Sequence, residues 1–101
     1  MTRIVLSAAV RDDFERIFDF LFEYAPESAA ARIEAIVQAI DVLALSPLIG
    51  RPAPQGLREL IISTGASGFL ALYHYDPMAD TVLVLAVRSQ RERAYKRPPA
   101  G

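Results

Sequence analysis

The chain has 101 residues, 52% of them hydrophobic, with no cysteine, one histidine and a formal net charge of -1. That excludes a disulfide framework, a thiolate metal site and a metal site built on several imidazoles, so no metal is expected. Five glycines and seven prolines are too few for a disordered or low-complexity chain.

One domain spanning 1–101 is expected, large enough to bury about two thirds of its unfolded surface. The opening MTRIVLSAAVRDD lacks the apolar stretch of a signal peptide, and no run approaches the roughly 20 apolar residues of a membrane helix. No membrane association and a cytoplasmic location are the expectation. The small net charge hides an asymmetry: residues 1–50 carry 4 basic and 8 acidic side chains, residues 51–101 carry 7 and 4. The second half is therefore the candidate anion-facing side.

Residues 3–6 (RIVL) read as a short strand, after which the Ser7 hydroxyl is placed to cap a helix from Ala8 to Tyr24. Val10, Phe14, Ile17, Phe18 and Leu21 recur at steps of three and four and share a face, with Arg11, Glu15, Asp19 and Glu23 on another; Asp12 and Asp13 sit near the positive end of the helix dipole. Phe20 and Phe22 fall off the main stripe, leaving aromatic surface that either packs on a neighbour or meets a partner. Pro26 and Glu27 suit the first turn of a second helix reaching about Leu45, with Ile33, Ile36, Val37, Ile40 and Leu43 as its apolar stripe and Ser46-Pro47 as its stop. So short a connection predicts an antiparallel helical hairpin.

Residues 47–56 (PLIGRPAPQG) read as a connector without regular structure. Three strand candidates follow, LRELIIS (57–63), FLALYHY (69–75) and TVLVLAVRS (81–89), separated by turn-forming TGASG and DPMAD. They predict an antiparallel meander whose nearly continuous apolar last strand is central. The whole is an α+β fold of order β-α-α-β-β-β, a helical hairpin packed on a small antiparallel sheet. Strict alternation along the last strand places Val82, Val84, Ala86 and Arg88 on one face.

After the last strand the chain turns basic: Arg88, Arg91, Arg93, Lys96 and Arg97 face a single acid, Glu92. This is either a solvated tail, flexible from about residue 96, or a functional surface. Arg58, opening the second meander strand, and Arg51 before it would extend a positive patch if the strand ends align. His74 in the middle strand reads as a residue without chemical duty. No triad, P-loop or dinucleotide fingerprint is present, and no cofactor is expected.

The order of elements, together with SPLIGRP, LRELII, GFLALYHYD and VLAVRSQRERAY, resembles the RelE/ParE superfamily of toxins of type II toxin-antitoxin modules. The resemblance covers nearly the whole chain. It is nearest the ParE branch, whose members often read R-H-Q-R-E-x-x-Y at the end; Arg88, Gln90, Arg91, Glu92 and Tyr95 match, and Ser89 replaces the common histidine.

RelE-type members cut messenger RNA on the ribosome with basic sheet residues and a C-terminal arginine and tyrosine. Arg91, Tyr95 and Arg58 would match three of these, but Leu70 and Leu60 fall where that comparison puts basic residues. Losing one preorganised charge stabiliser typically costs on the order of a hundredfold in rate. The ParE branch instead implies inhibition of DNA gyrase by binding, with no catalytic residue and no sequence-specific nucleic-acid contact by this chain. On that reading Arg58, Arg88, Arg91, Arg93 and Tyr95 form the gyrase-facing or toxicity surface. The resemblance further implies a ParD-like antitoxin whose arm meets Phe18, Phe20 and Phe22, in a heterotetramer or larger complex. A RelE-like endoribonuclease and an inactive relative that only binds its antitoxin are the alternatives.

Overall fold

The computed structural model describes residues 1–64 and 67–96. The elements run β1 (Arg3–Leu6), α1 (Ala8–Tyr24), α2 (Ala29–Asp41) with a 3-10 turn at Val42–Ala44, β2 (Arg51–Ala53), a 3-10 turn at Pro54–Gly56, β3 (Leu57–Thr64), β4 (Ser67–Asp76) and β5 (Thr81–Ser89). The five strands form one sheet in the order β1-β5-β4-β3-β2. The expected α+β architecture is present, with two corrections to the sheet.

First, β1 pairs parallel to β5, so the sheet is mixed: the meander reverses direction twice, and β1 joins its last strand in the same sense. Second, the connector contains the three-residue strand β2, antiparallel to β3. Pro52 is tolerated there because an edge position does not need its missing amide. One expected helix cap is absent and one helix boundary moves. Ser7 makes no side-chain cap, and its hydroxyl donates instead to the Leu85 carbonyl of β5 (3.3 Å). The second helix starts at Ala29, with Pro26 and Glu27 in the turn that precedes it.

Both helices cover one face of the sheet. Val10, Ile17 and Leu21 of α1 and Ile36 and Ile40 of α2 pack with Leu60, Ile62, Phe69, Ala71, Tyr73, Val82, Val84 and Val87. The sequence periodicities meet here: steps of three and four on the helices, alternation on the strands. Along β5 the alternation breaks. Tyr73 of β4 pairs with Val84 and Leu72 with Ala86, so Leu85 is an extra, bulged residue. A bulge shifts side-chain phase by one position. Val82, Val84 and Val87 therefore face the helices, whereas Ala86 joins Leu57 and Leu72 on the open face. The expectation that Val82, Val84, Ala86 and Arg88 share one face is corrected by that single residue.

The connector is held from the helix-covered side. The Tyr73 hydroxyl donates to the Pro47 carbonyl (2.8 Å) and accepts from the Gly50 amide (2.9 Å). A Cβ on Gly50 would lie 2.6 Å from that hydroxyl, which is why only glycine fits. The expected flexible tail lies, beyond Lys96, outside the described residues.

Candidate functional site

The C-terminal segment leaves β5 at Ser89 and is pinned at two points, one on each side of the sheet. The first pin arises from the shortness of β1. Its pairing with β5 stops at Leu6 and Val84, which leaves backbone groups further along β5 without a strand partner. Side chains of α1 and the tail supply the partners. Asp13 accepts from the Val87 amide (3.0 Å), Arg16 donates to the Val87 carbonyl (3.2 Å), and Glu92 accepts from the Ser89 amide (3.1 Å). Arg16 also joins the two acids, gripping Glu92 through Nε and Nη2 (2.8 and 3.1 Å) and Asp13 through Nη1 (2.8 Å). Asp13 is only 1% exposed. Burial works against the Arg16 charge, yet hydrogen bonds to Glu92 and Asp13 outweigh it and raise its pKa.

The second pin lies on the open face. Tyr95 packs on Leu57, Leu72 and Ala86, and its hydroxyl donates to Glu59 Oε2 (2.6 Å). The other oxygen of Glu59 accepts from Nε and Nη2 of Arg51 (3.0 and 2.5 Å). The Arg88 guanidinium lies 5.1 Å from the centre of the Tyr95 ring, a cation-π arrangement. Arg88 also donates to the carbonyls of Ser89 (3.3 Å) and Glu92, while its buried Nε has no acceptor among the described residues. Burial raises the Tyr95 phenol pKa and Glu59 raises it further, so Tyr95 is a hydrogen-bond donor at neutral pH. Burial opposes the Glu59 charge, but hydrogen bonds from Tyr95 and Arg51 prevail and hold the carboxyl below its ordinary range.

The structure thus brings Arg88 and Tyr95 together and adds Arg51 and Glu59. Arg58 points to the helix-covered side, where it donates to the carbonyls of Leu48 (3.1 Å) and Gly50 (2.8 Å). Arg91 lies beside α1, away from Tyr95, and Arg93 is exposed. Leu70 is opposite Arg88 in the β4–β5 register. Leu60, by contrast, belongs to the helix-facing core, so only Leu70 borders the arginine.

Phe18 and Phe20 of α1 line different cavities, and Phe22 lines neither. Phe18 lines a groove of about 700 Å³ between the helices, with Leu6, Val10, Phe14 and Ile33. Phe20 lines a smaller cavity of about 320 Å³ with Ile17, Leu21 and Phe69, bordered by Arg16 and Arg91. Phe22, 56% exposed, stacks on Phe18 at a centroid distance of 5.8 Å. Glu92 belongs to the matched C-terminal pattern, but Asp13 and Arg16 carry little functional signal in the sequence. The one available hint is that Asp13 falls on the buried stripe of α1, with Val10, Ile17 and Leu21, and has an arginine three residues on.

Chemically, the open face offers a cation stacked on an aromatic ring and a carboxylate already satisfied by two donors. Among the described residues no group of histidines and acids could hold a metal ion, and no helix is long and apolar enough to cross a membrane.

Similarity to known proteins extends over nearly the whole chain. Residues 4–94 match the family model described as ParE toxin of type II toxin-antitoxin system, parDE, a stretch that stops one residue short of Tyr95. Toxin RelE3 of Caulobacter vibrioides is 31% identical over 93 residues, covering 92% of this chain and 99% of that protein. Among solved structures, the chromosomal ParDE toxin-antitoxin system from P. aeruginosa superposes with a TM-score of 0.74 at 20% identity, covering 88% of this chain and 96% of the other. The toxin-antitoxin complex RelBE2 from Mycobacterium tuberculosis gives 0.57 at 22% identity, covering 88% and 98%. The last two support the fold, while the family match spans both helices and nearly all of the sheet. From its first strand to the tail that closes over the sheet, this chain belongs to the ParE toxin family of type II toxin-antitoxin systems.

Proposed function

We propose that this toxin acts by binding DNA gyrase and is neutralised by a ParD-like antitoxin, in a heterotetramer or larger assembly. The observation that supports binding over RNA cleavage is the make-up of the open face around Arg88. Its cross-strand neighbour is the buried Leu70, and the face also holds Leu72, Ala86 and the Glu59 carboxylate. Arg51 is engaged with Glu59. Cleavage of a phosphodiester draws on several cations aimed at the developing charge, and RNA affinity on neutralising several phosphates. A face dominated by leucines and a carboxylate supplies few of either.

On this reading Arg88 and Tyr95 form the centre of the target-facing surface, with Arg91 and Arg93 along the tail. Arg58 contributes by fixing the connector from the opposite side. The antitoxin arm meets the aromatic residues Phe18, Phe20 and Phe22 on α1. The relative named Toxin RelE3 keeps a RelE-like endoribonuclease as the competing reading.

Expression of the chain without an antitoxin separates the readings. The expected result is growth arrest with a DNA-damage response, inhibited supercoiling by purified gyrase, and intact transcripts. Codon-specific cuts in messages on translating ribosomes, with undamaged chromosomes, would refute it. A harmless chain would instead favour the inactive relative.

A further inference from the structure

We infer that the smaller cavity, between α1 and the start of the tail, seats one bulky apolar side chain of the antitoxin arm, with a carboxylate one or two residues along pairing with Arg91. The inference rests on the antitoxin reading and adds to it a specific seat and a specific chemistry. The cavity holds about 320 Å³, near the lower end of pockets that take an organic group. Its wall is apolar: Ile17, Leu21 and Phe69 are buried, and Phe20, 45% exposed, stands at the edge.

The charges at the rim do not balance. Arg16 is occupied by Asp13 and Glu92, and Glu92 by Arg16 and the Ser89 amide. Arg91 is exposed and forms no ion pair among the described residues, while its backbone amide is fixed on the Ser89 hydroxyl (3.1 Å). One positively charged side chain therefore stands uncompensated beside an apolar hole. An apolar residue followed by an acid fits that pattern, since the same segment would place both groups at once.

The larger groove selects differently. Glu15 and Asp19 share its rim with Arg11, so a carboxylate entering there meets two like charges and one opposite. The acidic part of an arm is thereby directed to the smaller cavity. Because Arg91 also belongs to the proposed target-facing tail, an occupied cavity withdraws it from the target. Neutralisation and target binding would then compete for one side chain.

The experiment measures affinity between the full chain and the purified product of the reading frame adjoining its gene, by titration calorimetry at low salt. Phe20→Ser is expected to weaken binding about tenfold or more and Arg91→Glu about fivefold or more, while Arg91→Lys restores most of the loss. Melting temperatures of all variants establish that each is folded, and the Arg91 variants alter only an exposed side chain. Affinities unchanged in both Phe20→Ser and Arg91→Glu, with tight binding to the wild-type chain, would overturn the seat and leave the antitoxin reading standing. An adjoining product that neither binds the wild-type chain nor relieves its toxicity would remove the antitoxin reading and this seat with it.

Discussion

Replacing Asp13 by alanine removes the residue on which the free edge of β5 depends most. Its carboxylate accepts from the Val87 amide and from Arg16, and the side chain is buried. A backbone amide left unpaired in the interior costs about 1–3 kcal/mol. Breaking a fully buried ion pair costs about 3–5 kcal/mol, but Arg16 is partly solvated and keeps Glu92, so less than that applies here. A loss of about 3 kcal/mol is expected for Asp13→Ala, a large part of the roughly 5–15 kcal/mol that stabilises a domain of this size. Asp13→Asn should lose about half as much, because an amide oxygen still accepts from Val87. Urea unfolding at pH 7 reads this as a midpoint shift of about 1–2 M at unchanged slope for the alanine variant. Hydrogen exchange at Val87 should accelerate in step. A loss below about 0.5 kcal/mol for Asp13→Ala, or asparagine no better than alanine, would show that water or a neighbouring group satisfies the β5 edge and refute the reasoning.

The connector and the tail give further tests. Gly50→Ala forces a methyl group against the Tyr73 ring and hydroxyl, and calorimetry should find it destabilised by about 1–3 kcal/mol, the usual range for overpacking. Tyr73→Phe leaves the Gly50 amide and the Pro47 carbonyl without their shared hydroxyl; about 1–2 kcal/mol should disappear in the same assay. The Glu59 carboxyl titrates below its ordinary value in the fold, so it stabilises the native state above the unfolded pKa of about 4.3. That contribution fades as pH falls through the lower folded pKa, and Glu59→Gln should flatten the acid limb of a stability-pH curve. Tyr95→Phe breaks the hydrogen bond to Glu59 but keeps the ring on the apolar patch, so Glu59 should titrate closer to its ordinary range, as followed by carboxyl NMR. Arg88→Ala together with Tyr95→Ala should abolish growth arrest while the folded fraction stays near that of the native chain; full toxicity would place the target surface elsewhere.

The helices and the three long strands were legible from periodicity and apolar runs, whereas the central strand of the sheet is β4 and not the expected β5, which lies between β4 and the short β1. Helix α1 has the bounds its apolar stripe and flanking residues imply. The order of elements and the motifs SPLIGRP, LRELII, GFLALYHYD and VLAVRSQRERAY together pointed to the family. Short β2 escaped notice because proline and glycine dominate its segment, and three residues carry no period. The phase of β5 was also hidden: Leu85 is one more leucine in an apolar run, and only its pairing with β4 makes it a bulge.

Local sequence thus determined which segments fold and which faces they bury, since periodicity and turn chemistry act over a few residues. Tertiary structure decided which charges meet. Arg16, with Asp13 three residues before it, meets Glu92 across 76 residues of chain because β1 is too short to seal β5. Arg58 and Arg88 part because they lie on opposite faces of one sheet, and a single bulged leucine sets the face on which Arg88 emerges. Hydrogen-bond partners of that kind depend on strand register, which no stretch of sequence specifies by itself.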